Sequence, residues 1–308
     1  MNEISILGIY VADLVFLGDQ IPIKGETVLG NDHLIGPGGK GSNQAVAVAK
    51  AGGKVNFISK IGADSYGEIA LQMYKENNMI VDNIIITKEH GTGVAGIFVN
   101  KQTGENAITV VPGASGKITK EDINQATDSI KKSKIFLTQL ETPIEVVEYA
   151  LSIASSNNIT TILNPAPATK IGKEIFHMID YFTPNETEAS FYVGYDVDTQ
   201  EDVKKAANQL MDKGIRNVII TLGEKGVYFA NNKENFFMNA FDFKGKVIDT
   251  TGAGDGFNAG LAVALAEEKK ISEALQFANA LAGLSTTKLG TAKSMPTRIE
   301  IDNLMGIL

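Results

Sequence analysis

Residues 42–61 read Ser42-Asn43-Gln44-Ala45-Val46-Ala47-Val48-Ala49-Lys50-Ala51-Gly52-Gly53-Lys54-Val55-Asn56-Phe57-Ile58-Ser59-Lys60-Ile61. The apolar stretch from Ala45 to Ala51 predicts a helix that starts near Ser42 and ends at Gly52-Gly53, where glycine serves as the C-cap. The β-branched apolar run from Val55 to Ile61 then predicts a buried strand. A similar run lies upstream at Ile4 to Ile9, so the three pieces make a strand-helix-strand unit. The alternation continues along the chain. Ser65-Tyr66-Gly67-Glu68 and Thr142-Pro143-Ile144-Glu145 read as capping boxes that open helices, the second with proline at the first helical position. Strands are expected at Lys134 to Thr138, Ile159 to Leu163 and Asn217 to Leu222. Helices are expected at Glu201 to Lys213 with Gly214 as its stop, at Gly254 to Glu268 and at Ser272 to Thr287. Strands joined through helices need right-handed crossovers, which give a mainly parallel central sheet with helices on both faces, an α/β fold.

Two stretches break the pattern. Residues 14–34 and 94–110 are extended and polar-rich, the second a hairpin turning at Lys101-Gln102-Thr103-Gly104-Glu105. They are expected to form a small β-sheet lid inserted into one α/β domain over 1–308, because no linker, low-complexity run or repeat divides the chain. Such a lid leaves apolar strand faces exposed, and pairing with a second copy would cover them, so a homodimer through the lid is expected.

Composition excludes several classes. With 28 Lys+Arg against 36 Asp+Glu the formal net charge is −8, which offers no source of attraction to a nucleic-acid backbone. Hydrophobic residues at 44% and charged residues at 21% are those of an ordinary globular chain. The absence of cysteine rules out disulfides, thiolate metal sites and a cysteine nucleophile. The apolar stretch Ile4 to Leu17 is broken by Asp13 and has no basic start. Neither a signal peptide nor a membrane span of ~20 residues is therefore expected, and the expected location is the cytoplasm. His33, His90 and His177 are scattered and read as surface residues.

In an open parallel sheet, ligands bind beyond the carboxyl ends of the strands. Asp249-Thr250-Thr251-Gly252-Ala253-Gly254-Asp255-Gly256 follows Lys246-Val247-Ile248 and runs into the helix expected from Gly254. Small residues before a helix leave amides uncovered at the positive end of its dipole, a geometry for phosphate. An Asp there can take a proton from a hydroxyl that attacks phosphorus. The alternative is a Gly-rich turn with an Asp cap. Gly36-Pro37-Gly38-Gly39-Lys40-Gly41-Ser42-Asn43-Gln44 matches G-x-G-x-x-G, but it does not follow the first strand and has no P-loop spacing. It reads as a loop offering Lys40, Asn43 and bare backbone to a polyhydroxylated ligand. In Thr183-Pro184-Asn185-Glu186-Thr187-Glu188, Asn185 and Glu188 have the spacing of a plain capping box, and Thr221 to Gly226 leads from a strand into a Gly-rich turn.

Together these residues resemble the ribokinase branch of the carbohydrate kinases. The resemblance covers nearly the whole chain and rests on Gly38 to Ala45, Gln139-Leu140-Glu141, Asn164-Pro165-Ala166-Pro167-Ala168, Thr183 to Ala189, Thr221-Leu222-Gly223 and Asp249 to Asp255, in the family's order. It implies a ribokinase-like fold and ATP-dependent phosphorylation of the primary hydroxyl of a furanose-like sugar, foremost ribose, with Mg²⁺ on the nucleotide. Asp255 would be the base and the backbone of Gly252, Ala253 and Gly254 the anion hole. Asp13, Gly38, Gly39, Lys40, Asn43 and Glu141 would hold the sugar. Asn185, Thr221, Gly223, Gly226, Gly254 and Asn279 would line the nucleotide site, with Glu188 acting on Mg²⁺. A monovalent cation, K⁺, would sit among Asp249, Thr251, Ser285, Lys288, Gly290 and Ser294, several acting through carbonyls.

One departure bears on substrate. The family opens with Gly-Ser-x-Asn-x-Asp, whereas this chain has Gly8-Ile9-Tyr10-Val11-Ala12-Asp13, so Val11 replaces the Asn that contacts the sugar. Deoxyribose, a nucleoside or another sugar is thereby an alternative to ribose. A phosphorylated hexose is disfavoured, since no extra Arg or Lys accompanies the sugar motifs. A non-catalytic sugar or nucleotide sensor is the alternative of another class, but it would have no need of a base beside an anion hole. A dinucleotide-dependent oxidoreductase is disfavoured by the misplaced Gly-rich loop.

Overall fold

The structure is a computed structural model that describes residues 3–307. The expected domain span of 1–308 also includes Met1, Asn2 and Leu308, which lie outside the described residues. The chain enters through β1 (Glu3–Leu7), β2 (Val11–Gly18) and β3 (Asp32–Gly38), then forms α1 (Lys40–Lys50), β4 (Lys54–Gly62), α2 (Ser65–Glu76) and β5 (Ile84–Thr87). A hairpin of β6 (Thr92–Asn100) and β7 (Asn106–Gly113) follows. Then come α3 (Lys120–Lys132), β8 (Ile135–Thr138), α4 (Ile144–Ser156), β9 (Thr160–Leu163) and β10 (Tyr181–Phe182). The last part is α5 (Glu186–Val193), α6 (Gln200–Asp212), β11 (Asn217–Thr221), β12 (Val227–Asn231), β13 (Asn235–Met238), α7 (Ala253–Ala266), α8 (Ile271–Ser285) and α9 (Arg298–Leu304).

Nine strands form the main sheet in the order β13-β12-β11-β10-β9-β8-β1-β4-β5. Pairing is parallel from β5 through β11, and β12 runs antiparallel to both β11 and β13. The strands carry apolar residues on both faces, as a sheet covered on both sides requires. Ile4 and Ile6 of β1, Ile135 and Leu137 of β8 and Ile219 of β11 point into one core with α1, α7 and α8. Leu7, Phe136, Val218 and Ile220 point into the other with α3, α4 and α6. The second sheet, β3-β2-β6-β7, is separate and forms the lid. No helix among the described residues is long and apolar enough to cross a membrane.

Local expectations are corrected in four places. The N-cap of α2 is Asp64, whose carboxylate accepts the Gly67 N–H, not Ser65. At α4 the N-cap is Pro143 with no side-chain bond, and the Thr142 hydroxyl is buried without a partner among the described residues. Lys246-Val247-Ile248 is not a strand. Val247 and Ile248 lie in an exposed loop, since no sheet edge is there to receive them. The stretch from Gly36 to Gln44, read as loop, is the end of β3, which pairs antiparallel with β2, followed by the first turn of α1.

Candidate active site

The first turn of α7 lies where the expected phosphate-binding loop meets the sheet. Gly252 is the N-cap in the left-handed region at φ 82°, a conformation that glycine adopts without side-chain strain. The first-turn amides of Gly254 and Asp255 have no intrahelical acceptor and face outward along the helix dipole. The Ala253 N–H is already engaged by the Thr250 carbonyl at 3.2 Å, so of the three expected anion-hole residues Ala253 contributes least. Gly254 is exposed, with open space where a Cβ would stand. One residue on, Asp255 is buried. Its Oδ2 accepts from Asn43 Nδ2 at 3.0 Å and its Oδ1 from Gln44 Nε2 at 3.0 Å. Burial pushes its pKa up, while Lys40 and the two amides oppose that shift.

The expected sugar residues converge from α1, β2 and the end of β8. Helix α1 can dock over β1 because Gly41 meets Gly8 without side chains; a Cβ on Gly41 would lie 2.6 Å from the Gly8 Cα. Asp13 lies directly over Gly38, where a Cβ would come within 2.0 Å of Asp13 Oδ1. Gly39 closes β3 onto α1 and caps the helix. The Lys40 N–H donates to Glu141 Oε2 at 2.8 Å. Burial lowers the pKa of the Lys40 ammonium, but the carboxylates of Asp255, Glu141 and Glu188 outweigh it and the net shift is upward. Burial also pushes Asp13 up to about 6 and, against Lys40, Glu141 up to about 7. Asn43 Oδ1 is buried with no partner among the described residues, an acceptor available to a ligand hydroxyl. Val11 is buried beside Ile9 and Ala95. It lies on the same face of β2 as Asp13, two residues away.

On the other side of Gly254 is a cavity of about 760 Å³ whose walls include Thr221, Gly223, Gly226, Gly254 and Asn279. That volume suits a nucleotide-sized ligand. Sequence reading missed its apolar walls, Phe241, Phe243 and Phe257. Two of them come from the loop after β13, where no periodicity marked a site. Asn185 and Glu188 do not line this cavity; they form the reciprocal capping box at the start of α5. Asn185 nonetheless bridges to Thr221 in parallel register. Burial raises the Glu188 pKa, and Lys40 and Asp255 lie within its electrostatic reach.

Of the expected cation residues, Asp249 joins two loops by accepting the N–H of Thr251 at 2.9 Å and of Gly290 at 3.0 Å. Ser285 and Ser294 are fully buried, and their hydroxyls donate to the carbonyls of Ala282 and Thr291. The Lys288 ammonium turns away to Glu300 at 2.6 Å, so this residue could contribute only its backbone oxygen. The set therefore offers oxygen donors alone, which suits a hard cation.

The profile of the pfkB family carbohydrate kinases matches residues 1–298. A ribokinase of Haemophilus influenzae is 41% identical over 97% of this chain and 97% of its own length. A deoxyribokinase of Salmonella typhi is 35% identical over 99% of each chain. The solved structure of an Arabidopsis thaliana ribokinase complexed with ribose and ATP superposes with a TM-score of 0.91 at 28% identity, covering 99% of this chain and 98% of that one.

Proposed function

The chain belongs to the pfkB family of carbohydrate kinases, and on that premise we propose that it transfers the γ-phosphoryl group of ATP to the primary hydroxyl of ribose. One observation carries the reading: Asp255 is buried between two half-sites. Its Oδ2 is bonded to Asn43 of the sugar loop, and its neighbour Gly254 is a wall of the nucleotide-sized cavity. In the reaction the sugar hydroxyl gives its proton to Asp255 as its oxygen bonds to the γ-phosphorus. The bond from that phosphorus to the oxygen bridging the β-phosphate breaks, and ADP leaves. Charge on the transferring phosphoryl oxygens meets the Gly252 and Gly254 amides at the positive end of α7. Asp13, Asn43 and Glu141, with the backbone of Gly38 and Gly39 and the Lys40 ammonium, hold the sugar. Thr221, Gly223, Gly226, Asn185 and Asn279 hold the nucleotide.

Glu188 keeps one oxygen outside its capping box and would hold Mg²⁺ through waters. Bound there, Mg²⁺ supplies charge neutralisation across the β- and γ-phosphates. Asp249 with the carbonyls of Thr251, Ser285, Lys288, Gly290 and Ser294 would hold K⁺ beside the anion-binding loop. We place the enzyme in the cytoplasm, as one α/β domain whose lid closes over the sugar, excludes water and pairs with a second copy.

Val11 favours a second acceptor, 2-deoxyribose. A hydroxyl buried against its methyl groups would lose water without gaining a partner, at about 1–3 kcal/mol. A deoxyribokinase is moreover among the relatives. The test is ADP release from ATP with ribose, 2-deoxyribose, nucleosides and hexoses, in wild type and Val11→Asn. Turnover with the two pentoses supports the reading, and Val11→Asn should raise the ribose to deoxyribose ratio of kcat/KM. Turnover confined to hexoses or nucleosides contradicts it.

A further inference from the structure

We propose that Gln44 is a positioning residue for Asp255, tying the carboxylate to the buried amides Asn164 and Gln139 at the ends of β9 and β8. The inference rests on the reading of Asp255 as the base. An amide side chain has two N–H donors and one carbonyl acceptor. In Gln44 all of them are committed inside the protein. Nε2 donates to Asp255 Oδ1 at 3.0 Å and to Asn164 Oδ1 at 3.2 Å, and Oε1 accepts from Gln139 Nε2. Gln44 is wholly buried. Turning the amide over would set its oxygen against two acceptor oxygens, so the donor face is locked toward the base.

The lock extends into a closed circuit. Asn164 donates through Nδ2 to the Thr183 carbonyl at 3.4 Å, and the Thr183 hydroxyl donates to Asn258 Oδ1 at 2.6 Å. Asn258 Nδ2 then donates to the Gly254 carbonyl at 2.9 Å, which returns the circuit to the first turn of α7 beside Asp255. Asn164, Thr183 and Asn258 are all buried, and the first two follow β9 and β10 directly. Asn43 differs. It bonds the same carboxylate but keeps Oδ1 unpartnered, which leaves it able to touch substrate. Gln44 has no group left for a ligand, so its effect must pass through Asp255.

The charged groups facing Asp255 are Lys40 from α1, Glu141 after β8 and Glu188 from α5, with Asp13 of β2 beyond Glu141. Gln44→Met replaces none of these charges; it takes from Asp255 one N–H that favours the ionised base, and from Asn164 and Gln139 their Gln44 partner. That loss disfavours the carboxylate and moves the acidic limb of the kcat profile to higher pH, by about one pH unit or more. At pH values below the limb kcat should fall about tenfold, KM for ATP should hold, and activity should recover as the pH is raised past the shifted limb. Gln139→Met, which leaves Gln44 in place but frees its carbonyl, should move the limb the same way by less. It also keeps the test open if Gln44→Met does not fold. A limb unmoved in the folded variants, or a rise in KM for ATP without a limb shift, overturns the positioning role. Asp255→Asn run in parallel separates the two claims. Near-normal kcat there sinks the base itself, whereas an inactive Asp255→Asn beside an unmoved limb sinks Gln44 alone.

Discussion

Asp13 and Glu141 are carboxylates held where water is scarce, with pKa values pushed by burial up to about 6 and about 7. A free Asp titrates near 3.9, so the folded chain holds the Asp13 proton more tightly than the unfolded chain does. Between about pH 4 and 6 the native state therefore binds more protons, stability falls as pH rises, and above that window the ionised group is a constant destabilisation. Asp13→Asn should consequently melt higher than wild type at pH 8, by about 1–2 kcal/mol once the solvent reaching this half-buried group is allowed for. The gain should vanish toward pH 4, and sugar binding should be lost. Thermal melts in which the difference is absent at pH 8, or grows on acidification, would show that Asp13 is not strained in this way. At this scale the sequence displayed Asp255, Lys40 and Asn43, because glycines beside polar residues at strand ends are conspicuous, whereas Asp13 was singled out only through the family resemblance. It did not display the Gln44–Asn164–Thr183–Asn258 circuit, whose members are 19 to 120 residues apart and look like ordinary buried polar groups.

At the scale of elements, the strands and helices expected from the sequence match to within a residue or two, since their apolar runs report burial on both faces of one sheet, whereas β5, β10, α3 and α9 were not expected. The lid was harder to read, because its strands cover little and their faces are mixed. The Asp13 face also carries Leu34 and Ile108, and the opposite face carries Phe16, Ile35 and Phe98. Phe16 and Phe98 stack at 5.3 Å between ring centroids while both remain partly exposed. The hairpin of β12 and β13 was missed, its short strands giving too little periodicity. The exposed apolar face of the lid that carries Phe16, Ile35 and Phe98 suits a second copy of the chain. Sedimentation at micromolar concentration should give a dimer for wild type and mainly monomer for Phe98→Asp. A wild type that sediments as a monomer contradicts the lid-to-lid contact.

Across the whole molecule, a mainly parallel sheet brings the ends of β1, β8, β9 and β11 to one side, and α7 enters that line with its N-terminus toward the cavity. The residues proposed to hold the sugar collect beside Asp255 on one side, and the nucleotide-sized cavity opens by β11 and α8 on the other. The alternation that decided the fold also decided where these loops meet, although the exposed loop between β13 and α7 could not be foreseen from it. The most direct test of the account is steady-state phosphorylation of ribose by Asp255→Asn, measured beside wild type with ATP varied. Loss of a general base typically lowers the rate by ~10² to 10⁴. With Asp255 as the base, kcat should fall by that order with KM for ATP little changed, and an Asp255→Asn enzyme with near-normal kcat would contradict that role.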